Sequence, residues 1–440
     1  MIIVSVALAT YGLSGTAFAF HDGGVAGCDG CHTMHNSTNN PMLRVTNPNG
    51  GSGEGNGNTY LLQGVDQSST CLNCHAAADA LGSGGSYHVM TYPFPATGVP
   101  PSELSPGGDF AWLQKSYAAA GYGNPSPGYF HGHNIIAAGY GLTADPRNAV
   151  APGALNAGSA YPGNELFCSS CHDPHGKYRL NTVGQAVHAT TGAPIYTSGS
   201  YGNDPSVQGT QQLAVGAYRL LGGVGYSPVS VGGAGGPYAF TADSPWAAAP
   251  STYNRSEATS QTVVAYGKGV SAWCSNCHPL MHTASNNTGG NVHPTGQAVG
   301  AATAVNYNGY IKTGTFSTGA NLYSTLAPFG IDNIQSNSTL STNINNQHLA
   351  MQSSSQVVCY TCHRAHASGW DEGMRFPIAN DFMTIGDGAG HAIYPGSDTT
   401  GSSLSMNRTN SEWQQALYGR PATVFAPYQR PLCNKCHIKD

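Results

Sequence analysis

The amino-acid sequence predicts a mostly irregular chain with short α and 3₁₀ helices and very little sheet. Three observations lead to this fold class. Only 8 % of the 440 residues are Asp, Glu, Lys or Arg, where a soluble domain carries about 25 %. The 59 glycines and 27 prolines favour turns and loops over long regular elements. All 12 cysteines fall in one short repeated motif, which offers a way to organise the chain other than a large aliphatic core.

The charge balance excludes two classes of protein. The formal net charge is −5, and Lys and Arg are too few and too dispersed to form the basic surface that nucleic acid requires. A wholly disordered chain combines low hydrophobicity with high net charge, whereas 40 % of this chain is hydrophobic. We therefore expect a folded protein that does not bind nucleic acid.

The amino terminus predicts export. Residues 1–19 form an apolar stretch that ends in an A-x-A cleavage signature at 17–19. Polar and glycine residues interrupt the stretch, so it fits poorly as a membrane-spanning helix of about 20 apolar residues. We expect 1–19 to be a signal peptide and 20–440 to be a single secreted domain with no membrane span.

Six C-x-x-C-H pentapeptides, called motifs 1 to 6 in chain order, contain every cysteine. This is the attachment sequence of c-type haem: two thiols hold the porphyrin and the adjacent imidazole binds the iron. The predicted attachment thiols are Cys28 and Cys31, Cys71 and Cys74, Cys168 and Cys171, Cys274 and Cys277, Cys359 and Cys362, and Cys433 and Cys436. The predicted proximal iron ligands are His32, His75, His172, His278, His363 and His437.

Three other functions of paired cysteines fit less well. Zinc binding leaves unexplained why a histidine follows every second cysteine. Disulfides across a two-residue loop make a poor framework, and a thioredoxin-like redox motif occurs once, near a βαβ pattern. The sequence thus predicts six covalently attached haems c.

The remaining histidines are numerous enough to supply a second axial ligand to every iron. Methionine could serve instead, but the nine methionines show no fixed relation to the motifs. His35, His175 and His366 each follow a proximal histidine by three residues, which places both imidazoles on one face of a helical turn. Because two such imidazoles cannot reach opposite sides of one porphyrin, each offset histidine should bind a different haem.

The histidines were ranked by their position relative to the motifs. The expected distal ligands are His35, His88, His133, His175, His366 and His21. The alternates are His348, His293 and His282, and the histidines expected to be ordinary surface residues are His131, His188 and His391.

Two helices are predicted from capping signals. Asp109 should cap a helix over 110–120 that Gly121 ends, and Ser411 should open a second helix, with Gln414 completing a capping box and Gly419 ending it. The Gly-, Ser-, Asn- and Thr-rich stretch at 284–347 should wrap around porphyrin faces.

The motif contexts resemble a known family. CHTMHNS, CSSCHDPHGKYR, CHRAHASG and APYQRPLCNKCHIKD, in this order, are similar to the outer-surface hexahaem cytochrome S family of metal-respiring bacteria. The resemblance implies a loop-dominated fold around a continuous chain of stacked bis-histidine haems. It also implies that His35 leaves its own subunit and binds the haem of motif 5, opposite His363, in the neighbour.

The expected function is extracellular electron transfer along a filament that forms head to tail from copies of this chain. The expected partners are other copies, other cytochromes and external acceptors such as metal oxides. A monomeric periplasmic electron shuttle remains an alternative. An enzyme such as a multihaem oxidoreductase is a weaker one, since it needs one iron with an open face and all six motifs end in histidine.

Overall fold

The computed structural model describes residues 30–32, 60–77, 88–118, 124–153, 160–174, 221–233, 236–248, 264–282, 295–312, 326–330, 350–397 and 403–436. In this part of the chain the α-helices are short: α1 Gln67–His75, α2 Val270–Cys274, α3 Pro279–His282, α4 Gly300–Lys312, α5 Cys359–Cys362 and α6 Asn410–Ala416. Single turns of 3₁₀ helix lie between them, among them Phe110–Gln114, Gly128–Phe130, Ala138–Tyr140, Cys168–Ser170, Asp371–Gly373 and Leu432–Lys435. The predicted loop-dominated fold is confirmed.

The sheets of the described part are two-residue ladders. Strands β1 (Ala76–Ala77) and β2 (Met90–Thr91) pair in parallel, with Ala76 opposite Met90. Strands β3 (Ala247–Ala248) and β4 (Ala265–Tyr266) are antiparallel, as are β5 (Ile385–Gly386) and β6 (Ala392–Ile393). Such ladders fasten loops to each other and do not form layers.

Apolar side chains of the described residues gather in three clusters that are rich in aromatic rings. The largest includes Trp370 and Trp413, whose rings meet edge to face with centroids 4.7 Å apart. The second is built around Trp273 and Tyr266, and the third around Tyr307. Motif cysteines pack at the edge of all three clusters. They are Cys168 and Cys362 in the first, Cys171 and Cys274 in the second, and Cys436 in the third. The core is thus divided into parts that surround the predicted haem attachment points.

The helix predicted after Asp109 is shorter than expected. The Asp109 carboxylate caps it by accepting from the Ala111 amide at 2.8 Å, but the element is a 3₁₀ helix that ends at Gln114. The chain leaves the helix because the Lys115 ammonium reaches away to three loop carbonyls and Tyr117 pairs with Ser126. Gly121, predicted to end the helix, lies outside the described residues.

A helix is present in the predicted range 411–418, but the predicted capping residues were wrong. Helix α6 begins at Asn410, and its capping box joins Thr409 to Glu412 rather than Ser411 to Gln414. Thr409 takes the cap because its hydroxyl accepts from the Glu412 amide while the Glu412 carboxylate accepts from the Thr409 amide. Gly419, at φ +71°, follows the helix as expected, and its amide donates to the Gln414 carbonyl.

Helix α4 was not predicted, because the surrounding Gly-, Ser- and Asn-rich composition hides its alanine-rich turn. It buries Ala304 and Tyr307 in the third cluster, beside motif 6. None of the helices in the described ranges is long and apolar enough to cross a membrane.

Candidate haem-binding sites

Motifs 2 to 5, which the structure describes in full, each form a tight helical turn. In motifs 3, 4 and 5 the amide of the histidine donates to the carbonyl of the first cysteine, as in His172 to Cys168 at 3.0 Å. The equivalent bonds of His278 and His363 measure 3.0 and 2.9 Å. A turn closed in this way places both thiols and the imidazole together, as attachment to one porphyrin requires.

Consecutive motifs along the chain place their thiols next to each other. The first cysteines of motifs 2 and 3, Cys71 and Cys168, share a hydrogen bond. Those of motifs 4 and 5, Cys274 and Cys359, do the same. In each pair the bond raises the pKa of the first thiol and lowers that of the second, to about 7 for Cys359.

The same order continues across the other junctions. Cys31 of motif 1 lies near Cys71, and Cys277 of motif 4 lies near Cys171 of motif 3. Cys362 of motif 5 is next to both cysteines of motif 6, and desolvation, followed by those neighbours, raises its pKa to about 12. The six motifs therefore follow one another in space in the order in which they occur in the sequence.

Two pairs of predicted ligands bring their imidazoles close together at similar separations, with the ring planes inclined by 52° and 58°. The rings of His172 in motif 3 and His366 after motif 5 have centroids 6.4 Å apart. Those of His278 in motif 4 and His133 have centroids 6.0 Å apart. The offset histidine of motif 5 thus lies opposite the proximal histidine of motif 3.

Backbone carbonyls hold several of these rings through Nδ1. His133 contacts the Ala365 carbonyl and His278 the Pro152 carbonyl, each at 2.7 Å. The Nδ1 atoms of His32 and His363 each lie 2.9 Å from a carbonyl, that of Tyr60 and that of Glu372 respectively. A metal-bound histidine characteristically donates its second ring N–H in this way, which fixes the tautomer and directs Nε2 to the metal.

Close backbone packing positions His366. Its amide donates to the Gly107 carbonyl at 2.7 Å, and its carbonyl accepts from the His133 amide at 2.9 Å. A Cβ at Gly107 would lie 2.8 Å from the imidazole, and one at Gly132 would lie 2.3 Å from the His366 carbonyl oxygen. The site therefore depends on two glycines that leave room for the segment carrying His366.

A small cleft lies beside His172 and His366. Its other lining residues are mostly apolar or aromatic: Pro106, Gly107, Leu221, Tyr266, Tyr360 and Ala365. Two imidazoles beside an apolar and aromatic lining are the kinds of group that would hold a haem iron and cover its porphyrin.

Two of the histidines that were expected to be ordinary surface residues differ in their burial. His391 is 71 % exposed and contacts Asp387 at 2.7 Å, as expected of a surface residue. His131 was wrongly expected at the surface, since it is fully buried. Its Nδ1 contacts the Trp112 carbonyl and its Nε2 contacts the Ser126 hydroxyl, so both ring nitrogens are engaged by protein groups.

The structure describes two more of the candidate distal iron ligands. His88 is buried, and the amide of its neighbour Val89 donates to the His75 carbonyl at 2.9 Å. His282, ranked only as an alternate, has its Nδ1 atom 2.9 Å from the Thr295 hydroxyl. The other predicted residues lie outside the described ranges: Cys28, His21, His35, His175, His188, His293, His348 and His437.

Comparisons with known proteins agree with the predicted resemblance. No protein-family model matches the chain. The c-type cytochrome OmcS of Geobacter sulfurreducens is 47 % identical over 449 aligned residues, which cover 99 % of this chain and 98 % of that protein. Two solved structures, of the OmcS nanowires and of the outer membrane cytochrome S filament of that organism, match at 45 % and 46 % identity with a TM-score of 0.78. Each match covers 96 % of this chain and 100 % of the other. The chain therefore belongs to the family of the c-type cytochrome OmcS.

Proposed function

We propose that this protein carries electrons outside the cell along a chain of six covalently bound haems c, and that its copies join head to tail into a filament. The observation that carries the proposal is the spatial order of the motif cysteines, from Cys31 to Cys436. An unbroken succession of attachment points supports a line of cofactors that runs through the molecule. The nanowires and filaments formed by the relative OmcS support the polymer.

His172 and His366 are the proposed ligands of the third haem, and His278 and His133 those of the fourth. Two imidazoles that bind opposite faces of one iron, each about 2 Å from the metal, place their ring centroids about 6 Å apart. Both observed pairs match this separation. When bound, the haem irons supply a reversible one-electron couple, and closure of both axial positions by histidine leaves no open face for a substrate.

The joint between subunits is proposed at motif 5. The His363 residue is exposed and its Nδ1 contacts the Glu372 carbonyl, which holds the ring in the way that a metal-bound histidine is held. The family resemblance assigns the opposite face to His35 of the neighbouring copy. A ligand donated in this head-to-tail sense is a heterologous contact, which produces an open filament when the rotation does not close.

The remaining distal ligands are assigned with the same criteria. His282 is the first alternate, because its Nδ1 is engaged and Thr295 precedes helix α4, which packs beside motif 6. His88 is retained because it is buried next to motif 2. His175 and His21 remain proposed from the sequence, and His293 and His348 remain alternates.

An electron carrier is favoured over an enzyme and over a monomeric shuttle. An oxidoreductase requires an iron with one open face, whereas the two close imidazole pairs support closed irons at motifs 3 and 4. A shuttle would use the same haems without the ligand shared between copies. We further propose export through the signal at 1–19, with 20–440 as the mature domain at the outer cell surface.

Negative-stain electron microscopy of the native protein tests the proposal. We expect smooth, unbranched filaments with a regular repeat. His35→Ala should keep six haems per chain but abolish the filaments, whereas the exposed surface change His391→Ala should leave them intact. Discrete particles from the native protein, or intact filaments from His35→Ala, would contradict the proposed polymer.

A further inference from the structure

Two serines occupy equivalent positions at two separate motif junctions. Ser68 lies in the first turn of α1, three residues before the first cysteine of motif 2, and Ser271 lies three residues before the first cysteine of motif 4. Each is buried, with 0 % and 3 % of its surface exposed. The Ser68 hydroxyl accepts from the Cys168 amide at 3.0 Å, and the Ser271 hydroxyl accepts from the Cys359 amide at 3.2 Å.

The acceptor motifs share a second feature. A hydroxyl inside motif 3, that of Ser170, accepts from the Phe167 amide at 2.9 Å, and in motif 5 the Thr361 hydroxyl accepts from the Val358 amide at 3.0 Å. Motifs 2 and 4 instead carry asparagine at this position. The chain therefore contains an internal repeat of two motifs, in which motifs 2 and 3 correspond to motifs 4 and 5.

Serine three residues before the first cysteine occurs only in motifs 2 and 4. The other four motifs carry Val25, Glu165, Gln356 and Arg430 there. The cysteine whose amide donates to the serine also contacts, through its side chain, the first cysteine of the serine's own motif. Cys168, for example, donates to Ser68 and contacts Cys71. The serine bond and the close approach of the two cysteine side chains thus connect the same two helical turns.

We propose that Ser68 and Ser271 are positioning residues that set the contact between haems 2 and 3 and between haems 4 and 5. The inference rests on the proposed function, because it takes the motifs to hold haems. A serine hydroxyl, one helical turn before the first cysteine, lies on the same face as that cysteine. By accepting from the amide of the next motif's first cysteine it fixes the distance between two attachment points of adjacent haems.

Loss of the hydroxyl should loosen this contact. An alanine side chain cannot accept a hydrogen bond, and a part-buried amide left without its acceptor favours a backbone shift toward another partner. A shift of Cys168 or Cys359 moves the attached porphyrin relative to its neighbour. Excitonic coupling between neighbouring porphyrins falls steeply with their separation, so a bisignate Soret circular dichroism band reports the change.

The experiment measures haem content and Soret circular dichroism of the full-length holoprotein. Native protein should contain six haems per chain and show the bisignate band, and its failure to do so would contradict the proposed function itself. Ser68→Ala and Ser271→Ala should keep six haems and lose band amplitude, with a larger loss in the double variant. Ser68→Thr retains a hydroxyl and should recover the amplitude.

Two matched controls separate positioning from a general loss of buried hydroxyls. Ser69→Ala lies in the same helix as Ser68, but its hydroxyl contacts Asp66 and the Gly139 amide, away from motif 3. Ser275→Ala removes a hydroxyl that donates to the Ala272 carbonyl of the same helical turn, away from motif 5. Both should keep the native band. Unchanged amplitude in Ser68→Ala and Ser271→Ala, or an equal loss in the controls, would overturn the inference. If Ser68→Ala fails to accumulate, Ser271→Ala and Ser275→Ala decide it.

Discussion

Gly107→Ala tests the proposed ligation of the third haem through a single methyl group. A Cβ at Gly107 would lie 2.8 Å from Nδ1 and 3.0 Å from Cε1 of His366, inside the 3.4 Å at which ordinary van der Waals contact begins. The ring must therefore retreat by several tenths of an ångström. Its own backbone allows little retreat, since the His366 amide is bonded to Gly107 and its carbonyl to the His133 amide.

The expected effect has a thermodynamic part and a spectroscopic part. An added methyl in a close-packed site typically costs about 1–3 kcal/mol of unfolding free energy. If His366 binds iron, the strain should also weaken one axial bond, so that one haem in six gains high-spin character and binds carbon monoxide. Resonance Raman spin-state bands and carbon monoxide difference spectra measure this fraction.

Gly309→Ala is the matched control. Gly309 lies in helix α4 with nothing within 4 Å of an added Cβ, and alanine in a helix interior is favoured over glycine by about 1 kcal/mol. We expect unchanged spectra and equal or higher stability. A Gly107→Ala protein that is as stable as the native one, with six low-spin haems and no carbon monoxide binding, would refute the packing argument.

Three further predictions concern the supports of the site and the core. Lys115→Met removes the ammonium that donates to the carbonyls of Pro95, Ala96 and Val99 at 2.6–3.0 Å, and should cost about 2–3 kcal/mol in denaturant unfolding, while Lys115→Arg should cost less. Trp413 is fully buried beside Trp370, so Trp413→Ala leaves a cavity and should lower the free energy of unfolding by about 3–5 kcal/mol. A loss below about 1 kcal/mol would mean that this cluster is not a true core. Glu372 has φ +58°, a conformation that a β-branched residue adopts with strain, so Glu372→Val should lower the free energy of unfolding by about 1–2 kcal/mol. Glu372→Gly relieves that strain and loses only an exposed ion pair with Arg147, so its free energy of unfolding should stay within about 1 kcal/mol of the native value. Equal stabilities of the two Glu372 variants would contradict the role of backbone strain.

The chemistry of the site could be predicted from the sequence because the residues that attach a haem lie close together along the chain. C-x-x-C-H is a contiguous pattern, and the three-residue offset of His366 already required a haem other than that of motif 5. Which haem it serves depends on the approach of residues 105–108 to 364–367, a contact that no local pattern encodes. His131 shows the same limit: its burial comes from Trp112, Ser126 and the segments around them.

Secondary structure was predicted least well where tertiary contacts override local signals. The capping signal at Asp109 was right, yet Lys115 ends the helix early by bonding to a distant loop. Helix α4 was hidden by its composition, and it is stabilised by packing Tyr307 against Phe329, with centroids 5.3 Å apart. The repeat that pairs motifs 2 and 3 with motifs 4 and 5 was present in the sequence as S-x-x-C, but only the bonds of Ser68 and Ser271 give the spacing a meaning.

Cryo-electron microscopy of the native filament at side-chain resolution tests the central claim most directly. We expect six haems in the order of the motifs, with iron between His172 and His366 and between His278 and His133, and with His35 of the neighbouring copy opposite His363. An iron with an open face, a different order of haems, or a fifth haem ligated wholly within one chain would contradict it.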